Sequence, residues 1–208
     1  MSSLSFPSQS AALATGHHPD NDLVGRGIAE WRTTRPDLDS SGKEVVGRLI
    51  RLQEIVLKTI DETLQPHSLT YLEYAVLATL RVSREPHGLA PGYLLSRLLC
   101  SSGGLSNLLK RLENRNLIQR AADPKDGRGV LVKLTRLGQK LADESMPSHA
   151  ATEIDLISML DQDERDVLAR LLSRMLVGNA PELMLATLEG RKSAAQCMAP
   201  NPETIPTP

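Results

Sequence analysis

Apolar residues recur along this chain at spacings that predict most of its elements. Between 41 and 64 they fall in two stripes, Val45, Leu49, Leu52, Val56 and Ile60 on one and Val46, Ile50, Leu57 and Leu64 on the next. One such stripe marks a helix with a face to bury, so two predict a helix buried on two sides. Thr70 and Glu73 have the spacing of a capping box, which starts a second helix that runs through Arg81. Pro91 suits the first turn of a third helix, and Leu98-Leu99-Cys100 reads as that helix's apolar end. Leu105, Leu108, Leu109 and Leu112 recur at i, i+3, i+4 and i+7 and mark a fourth. Beyond it, residues 117–122 and 130–134 flank the turn-rich DPKDGRG and predict two strands of a hairpin. Asp161 and Glu164 open a last helix, in which Leu168, Leu171, Leu172 and Met175 again show helical spacing.

The other face of the fourth helix brings in chemistry. Ser101 and Ser102 stand at its start, and Ser106, Asn107, Lys110 and Arg111 lie away from its leucines. Hydroxyl, amide, ammonium and guanidinium groups are the side chains that meet phosphates and base edges in a major groove. The hairpin that follows carries Lys125 and Arg128 at its turn. A groove-sized polar helix followed by a basic hairpin is the plan of a winged helix-turn-helix.

Charge supports this only locally. The whole chain has 24 Lys+Arg against 25 Asp+Glu, a balance that alone argues against nucleic acid. Residues 91–140, however, hold ten basic against three acidic residues, and residues 141–170 hold two against eight. A field of several charges on one segment steers a polyanion whatever the total.

Composition bounds the rest. With 208 residues and 40% apolar content the chain can bury one good core. Aromatics are 2%, so that core is aliphatic and suits helices packing on helices, a mainly α (α+β) fold. There is no apolar run of about 18 residues and no basic-then-apolar leader, which makes a cytoplasmic location the expectation. Residues 1–24 and 181–208, rich in Ser, Pro and small residues, read as flexible tails around a domain at 25–180 whose DNA-binding core spans about 68–138. The two cysteines, Cys100 and Cys197, have no metal-ligand spacing, and the five histidines form no HExxH or similar pattern. Gly103-Gly104 is a helix-entry pair and no phosphate-binding glycine loop exists, so no cofactor is implied and an enzyme is not expected.

The segment DPKDGRGVLVKLTRLG resembles the wing of the MarR family of bacterial transcription regulators, and the similarity extends over 45–177. The family's Asp-x-Arg, alternating apolar residues, Leu-Thr and helix-opening Gly are matched by Asp126, Arg128, Val130, Val132, Leu134, Thr135 and Gly138. Members often carry a basic residue where Gly127 stands, so this wing has one charge fewer for the minor groove. The resemblance implies long terminal helices that form a homodimer, and double-stranded DNA with a palindromic operator as partner.

A narrower resemblance covers Ile28-Ala-Glu-Trp-Arg, Arg35-Pro-Asp-Leu-Asp and Val46-Gly-Arg-Leu with Arg51, which are similar to the PecS and urate-responsive branch. There an extra N-terminal helix carries a tryptophan, matched by Trp31, that lines a ligand pocket between the dimerisation helices and the DNA-binding lobe. The branch's urate-binding Asp and Arg fall on Ala75 and Val82, so urate is not the expected ligand. Arg48 and Arg51 share a helix face, and the family fold brings Tyr71 and Tyr74 near the base of that helix. Planar rings with cations suit a small aromatic carboxylate. The alternatives are packing for Trp31 and surface or dimer ion pairs for the arginines.

Cys100 precedes the polar helix, where a helix N-terminus lowers a thiol pKa. That leaves a redox-sensing regulator as one alternative, although redox-sensing relatives place the reactive cysteine near the first helix. Another is a winged helix used only for protein docking or dimerisation. The expected function is a ligand-responsive repressor released from its operator by the aromatic effector.

Overall fold

The computed structural model describes residues 21–83, 85–98, 100–124 and 129–180. The chain runs α1 (Leu23–Thr34), α2 (Ser41–Leu64), a 3-10 turn (Gln65–His67), α3 (Tyr71–Val82), α4 (Pro91–Arg97) and α5 (Ser102–Asn114). It continues through β1 (Ile118–Ala122), β2 (Val130–Leu134), α6 (Arg136–Leu156) and α7 (Gln162–Asn179). The mainly helical winged architecture is therefore present, and the chain forms two compact units.

Of the described residues, the first unit comprises 21–74 together with Asp143–Asp161. Its α1 is fastened at the N-terminus by Asp22, whose Oδ1 accepts the Gly25 N–H at 2.7 Å. Leu23 and Val24, assigned above to the tail, thus belong to a capped helix. A Cβ on Gly47 of α2 would lie 2.9 Å from Val24 Cγ1, so this glycine is what lets the two helices approach closely.

The helix at 41–64 has the predicted bounds, but not the predicted burial. Of α2 only Ile60 and Leu64 are buried, while Val45, Val46, Ile50, Leu52 and Ile55 are each at least half exposed. Both stripes are real, and within one chain neither is covered along its N-terminal half. Further along, the Thr63 and Thr152 hydroxyls meet at 2.8 Å, joining α2 to α6. The Ser148 hydroxyl lies 3.3 Å from His67 Nε2. Helix α6 runs on through Pro147, which supplies no N–H to the helical ladder.

Of the described residues, the second unit comprises those within Ala75–Ala142 and 162–180. Its core is aliphatic, with Val76, Leu77, Leu94, Leu108, Leu109, Leu112, Ile118 and Val132 nearly or fully inaccessible. Pro91 opens α4 as expected, but the helix stops at Arg97. Leu98 is extended (φ −113, ψ 143), so the run through Cys100 is not the helix's apolar end. Leu98 is buried, Cys100 is half-buried, and Leu99 lies outside the described residues.

The two strands pair antiparallel with Ile118 opposite Leu134 and Ala122 opposite Val130. An isolated bridge adds Leu89 to Val132. Gly88 just before it has φ +103, and a Cβ there would collide with the Val132 carbonyl, so only glycine suits this approach. Helix α7 has no buried residue, and Val167, Leu168, Leu171, Leu172, Leu176 and Val177 stand exposed along it.

Candidate nucleic-acid interface

Helix α5 is set rigidly because both of its ends are closed. The Ser101 side chain accepts the Gly104 N–H at 3.1 Å, satisfying one of the donors that a helix start leaves open. At the other end the Asn116 N–H donates to Glu113 O at 2.8 Å and the Leu117 N–H to Leu112 O at 2.9 Å, with Asn116 left-handed at φ 55. That pair of bonds is a Schellman closure.

Between these caps the two faces separate cleanly. Leu105, Leu108, Leu109 and Leu112 are at most 3% exposed. Ser102, Ser106, Asn107, Lys110 and Arg111 are all exposed, as is Ser101. Burying the leucine stripe contributes roughly 1.5 to 3 kcal/mol per side chain, which is what holds the polar face outward. The six residues expected from sequence thus share one helix and its entry turn.

The hairpin beside α5 is braced by Thr135. Its hydroxyl donates to Asn116 O at 2.6 Å and its oxygen accepts the Gly138 N–H at 3.0 Å, tying the end of β2 to the start of α6. The Asp123 N–H donates to Gly129 O at 2.9 Å and extends the hairpin toward its turn. Lys125 and Arg128, with Asp126 and Gly127 between them, lie outside the described residues. Arg120 on β1, which the sequence reading did not single out, pairs with Glu113 of α5 at 3.2 Å. Strand alternation next to a basic hairpin was the signal for it.

The expected effector residues all lie in the first unit and separate into two groups. In the first, Trp31 is 43% exposed, with Lys43 Nζ 4.0 Å from its ring centroid. Arg48 Nε donates to Asp22 Oδ2 at 2.8 Å, and Arg51 pairs with Glu54 at 3.2 Å. The Gly25 amide, and after it the Arg48 guanidinium, hold the Asp22 carboxyl below the usual carboxylate range.

In the second group Tyr74 is buried with its ring 4.2 Å from that of His149, and Tyr71 stacks on the same imidazole at 6.3 Å. Burial, reinforced by the nearby Glu153 charge, raises the Tyr74 phenol above its ordinary value. Sequence reasoning missed Lys43, Asp22 and His149. Lys43 and Asp22 are ordinary surface types, and one histidine in a helix carries no pattern.

Among the described residues no group of three or more metal-ligating side chains occurs, and no helix is long and apolar enough to cross a membrane.

Comparison with known proteins gives this geometry its context. A model of the MarR family matches residues 67–129, from the end of α2's turn to the wing. Over 148 residues the chain is 30% identical to the HTH-type transcriptional regulator PecS of Dickeya dadantii, covering 71% of this chain and 89% of PecS. The chain belongs to the MarR family. It is thus a transcriptional regulator of MarR type and not an enzyme.

Two solved structures add to the likeness. One is the S. aureus MepR–DNA complex, with TM-score 0.60 and 26% identity over 64% of this chain and 98% of that one. The other is Bordetella bronchiseptica BpsR, whose DNA binding is regulated by 6-hydroxynicotinic acid, with TM-score 0.55 and 26% identity over 62% of this chain and 97% of that one.

Proposed function

We propose that this MarR-family regulator is a homodimeric repressor that binds a palindromic operator and is released by a small aromatic carboxylate. The observation that carries the DNA-reading part is the division of α5, four leucines buried and Ser102, Ser106, Asn107, Lys110 and Arg111 all exposed. Ser106, Asn107 and Lys110 enter the major groove, and Ser101, Ser102 and Arg111 take phosphates at its edge. Lys125 and Arg128 supply the wing contact, and the work is cytoplasmic.

Dimerisation follows from the uncovered apolar surface of α2 and α7. Val45, Val46, Ile50, Leu52 and Ile55 on one helix, and Val167, Leu168, Leu171, Leu172 and Leu176 on the other, are too many exposed large side chains for a monomer to leave in water. A second copy covers them. Two-fold symmetry in the protein then requires two-fold symmetry in the DNA site.

For the effector, Trp31 gives a partly accessible aromatic ring with Lys43 against it, and Arg48 and Arg51 are further cations on α2. The aromatic acid that regulates BpsR supports the same ligand class. Ligand binding acts as a population shift, favouring a spacing of the two α5 helices that no longer fits the half-sites. A mobility-shift titration across salt tests the reading. Binding that falls steeply with salt, and a mass in solution of twice 22.7 kDa, are expected; salt-insensitive binding or a monomer overturns it.

A further inference from the structure

Within the second unit a cavity of about 260 Å³ lies where the turn after α3, strand β2 and the first turn of α6 meet. Its walls are tied by backbone bonds. The Leu89 N–H donates to Val132 O at 2.9 Å and the Val132 N–H to Leu89 O at 2.8 Å, while the Gln139 N–H donates to Thr135 O at 2.9 Å. In the turn, the Gly88 N–H donates to Glu85 O at 3.2 Å, and the Ser83 hydroxyl oxygen accepts the Glu85 N–H at 3.1 Å. Leu80, Leu89 and Leu134 give the cavity an aliphatic part.

Lys133 and Glu85 line this one cavity with opposite charges, yet they form no ion pair with each other or with any other described residue. Exposed opposite charges elsewhere do pair, as Arg35 with Asp37 and Arg51 with Glu54. Arg81 also lines the cavity, but it is engaged within the protein. Gln139 adds a carboxamide with no bond to the described residues, and the Ser83 hydroxyl keeps its own proton to donate.

A cation and an anion that share a small cavity without pairing suit a ligand that carries both charges itself. The volume corresponds to about nine waters at roughly 30 Å³ each, so the ligand has on the order of ten non-hydrogen atoms. From this we infer a binding site for a small aliphatic α-amino acid. Its carboxylate takes Lys133 and Gln139, its ammonium takes Glu85, and its side chain lies on the leucines. An occupant bridges β2 to the turn before α4 and so bears on the setting of the hairpin. All of these residues lie in the second unit, whereas Trp31, Arg48 and Arg51 lie in the first.

Calorimetric titration of the full chain with L-leucine is the test, with isocaproate and isoamylamine as probes that lack the ammonium and the carboxylate respectively. L-Leucine is expected to bind saturably and to shift the amide resonances of Gly88 and Lys133, with each single-charge probe at least about tenfold weaker. Glu85→Gln should bring leucine down to the affinity of isocaproate, and Lys133→Met to that of isoamylamine. Melting curves check that both variants fold. No saturable binding of leucine to the wild type, or isocaproate binding as tightly as leucine, overturns the inference whether or not the variants fold. So does leucine binding that leaves the Gly88 and Lys133 amides unmoved, or that both substitutions leave unchanged.

Discussion

Gly138 lies against the Leu117 carbonyl so closely that any Cβ at this position would overlap it. The contact joins the first turn of α6 to the segment leading from α5 into β1, and the Thr135 hydroxyl bonds to both sides of it. It gives a physical reason for the Leu-Thr and Gly of the wing pattern. Gly138→Ala should therefore force the wing and α6 apart, costing about 2 to 3 kcal/mol as an overpacked site. Chemical denaturation measures the loss directly. A cost under about 0.5 kcal/mol would mean that the two segments separate freely.

Asn116 offers the opposite change. It closes α5 with φ 55, a conformation in which a side chain is strained and glycine is not. Asn116→Gly relieves that strain while adding unfolded-state entropy, so stability should rise by a few tenths of a kcal/mol. Asn116→Val should lose about 1 to 2 kcal/mol. The sign of the difference between the two variants, read from melting curves, is the check.

Much of this arrangement was legible in the sequence because local signals agreed with packing. The bounds of α2, the Thr70–Glu73 box and the leucine stripe of α5 all appear as read, with the Thr70 N–H donating to Glu73 at 3.1 Å. The start of α1 was missed because its cap, Asp22, sits beside a Ser- and Pro-rich segment that looks like a tail. Of α6 only the opening was legible. Its 21 residues include Pro147 and a polar seam of Ser145, Ser148, His149 and Thr152, which hides the helical period. The end of α4 was set one turn too late, because Leu98 is buried from an extended backbone and not from a helix. The candidate site divides in the same way. Residues chosen for a helix face fall together on α5, whereas residues chosen by chemical type, such as Arg48 and Tyr74, engage partners such as Asp22 and His149 that no spacing rule reveals.

Contacts to bases and to phosphates should separate on mutation. Arg128→Ala should weaken binding to all duplexes alike and lower the salt slope by about 1, as expected for a lost phosphate contact. Asn107→Ala should cost about 1 to 3 kcal/mol on the preferred site and much less on variants altered at one base pair. Mobility shifts on a panel of single-base variants distinguish the two patterns. Equal losses across the panel would move Asn107 to the phosphate contacts.

Acid should loosen α1 before the rest of the fold. The Asp22 carboxyl is held below its unfolded value by the Gly25 amide and the Arg48 guanidinium. A carboxyl with a depressed folded pKa contributes its stabilisation above the unfolded pKa of about 3.9 and loses it as pH falls through the folded value. The cap and the tie to α2 are thus complete at neutral pH and fail in the acid range below about 4. Amide exchange in α1 should accelerate there ahead of the exchange in α5. Asp22→Asn should show faster α1 exchange already at neutral pH and lose the pH dependence.

Trp31 is the chain's single tryptophan, which makes the effector reading accessible to fluorescence. An aromatic carboxylate stacked on the ring changes the surroundings of the indole, which now has the Lys43 ammonium 4.0 Å from its centroid, so emission should change on binding. A charge-assisted bond to the carboxylate is worth roughly 1.5 to 3 kcal/mol, and Arg51→Met should weaken the ligand about 10- to 150-fold if Arg51 supplies it. The Glu54 partner of Arg51 is itself exposed, so that substitution leaves the helix pair intact. Arg48→Met is less clean because it also frees Asp22, and Asp22→Asn is its control. Should both weaken the response equally, Arg48 acts through the docking of α1 and not through the ligand. Urate should give little response, since Ala75 and Val82 replace the carboxylate and guanidinium of the urate-responsive branch. A panel of benzoate and pyridine carboxylates scored by Trp31 emission and by release of DNA decides the matter. If Trp31→Ala abolishes folding while such acids still release DNA from the wild type without changing its emission, the tryptophan is a packing anchor and the effector binds elsewhere.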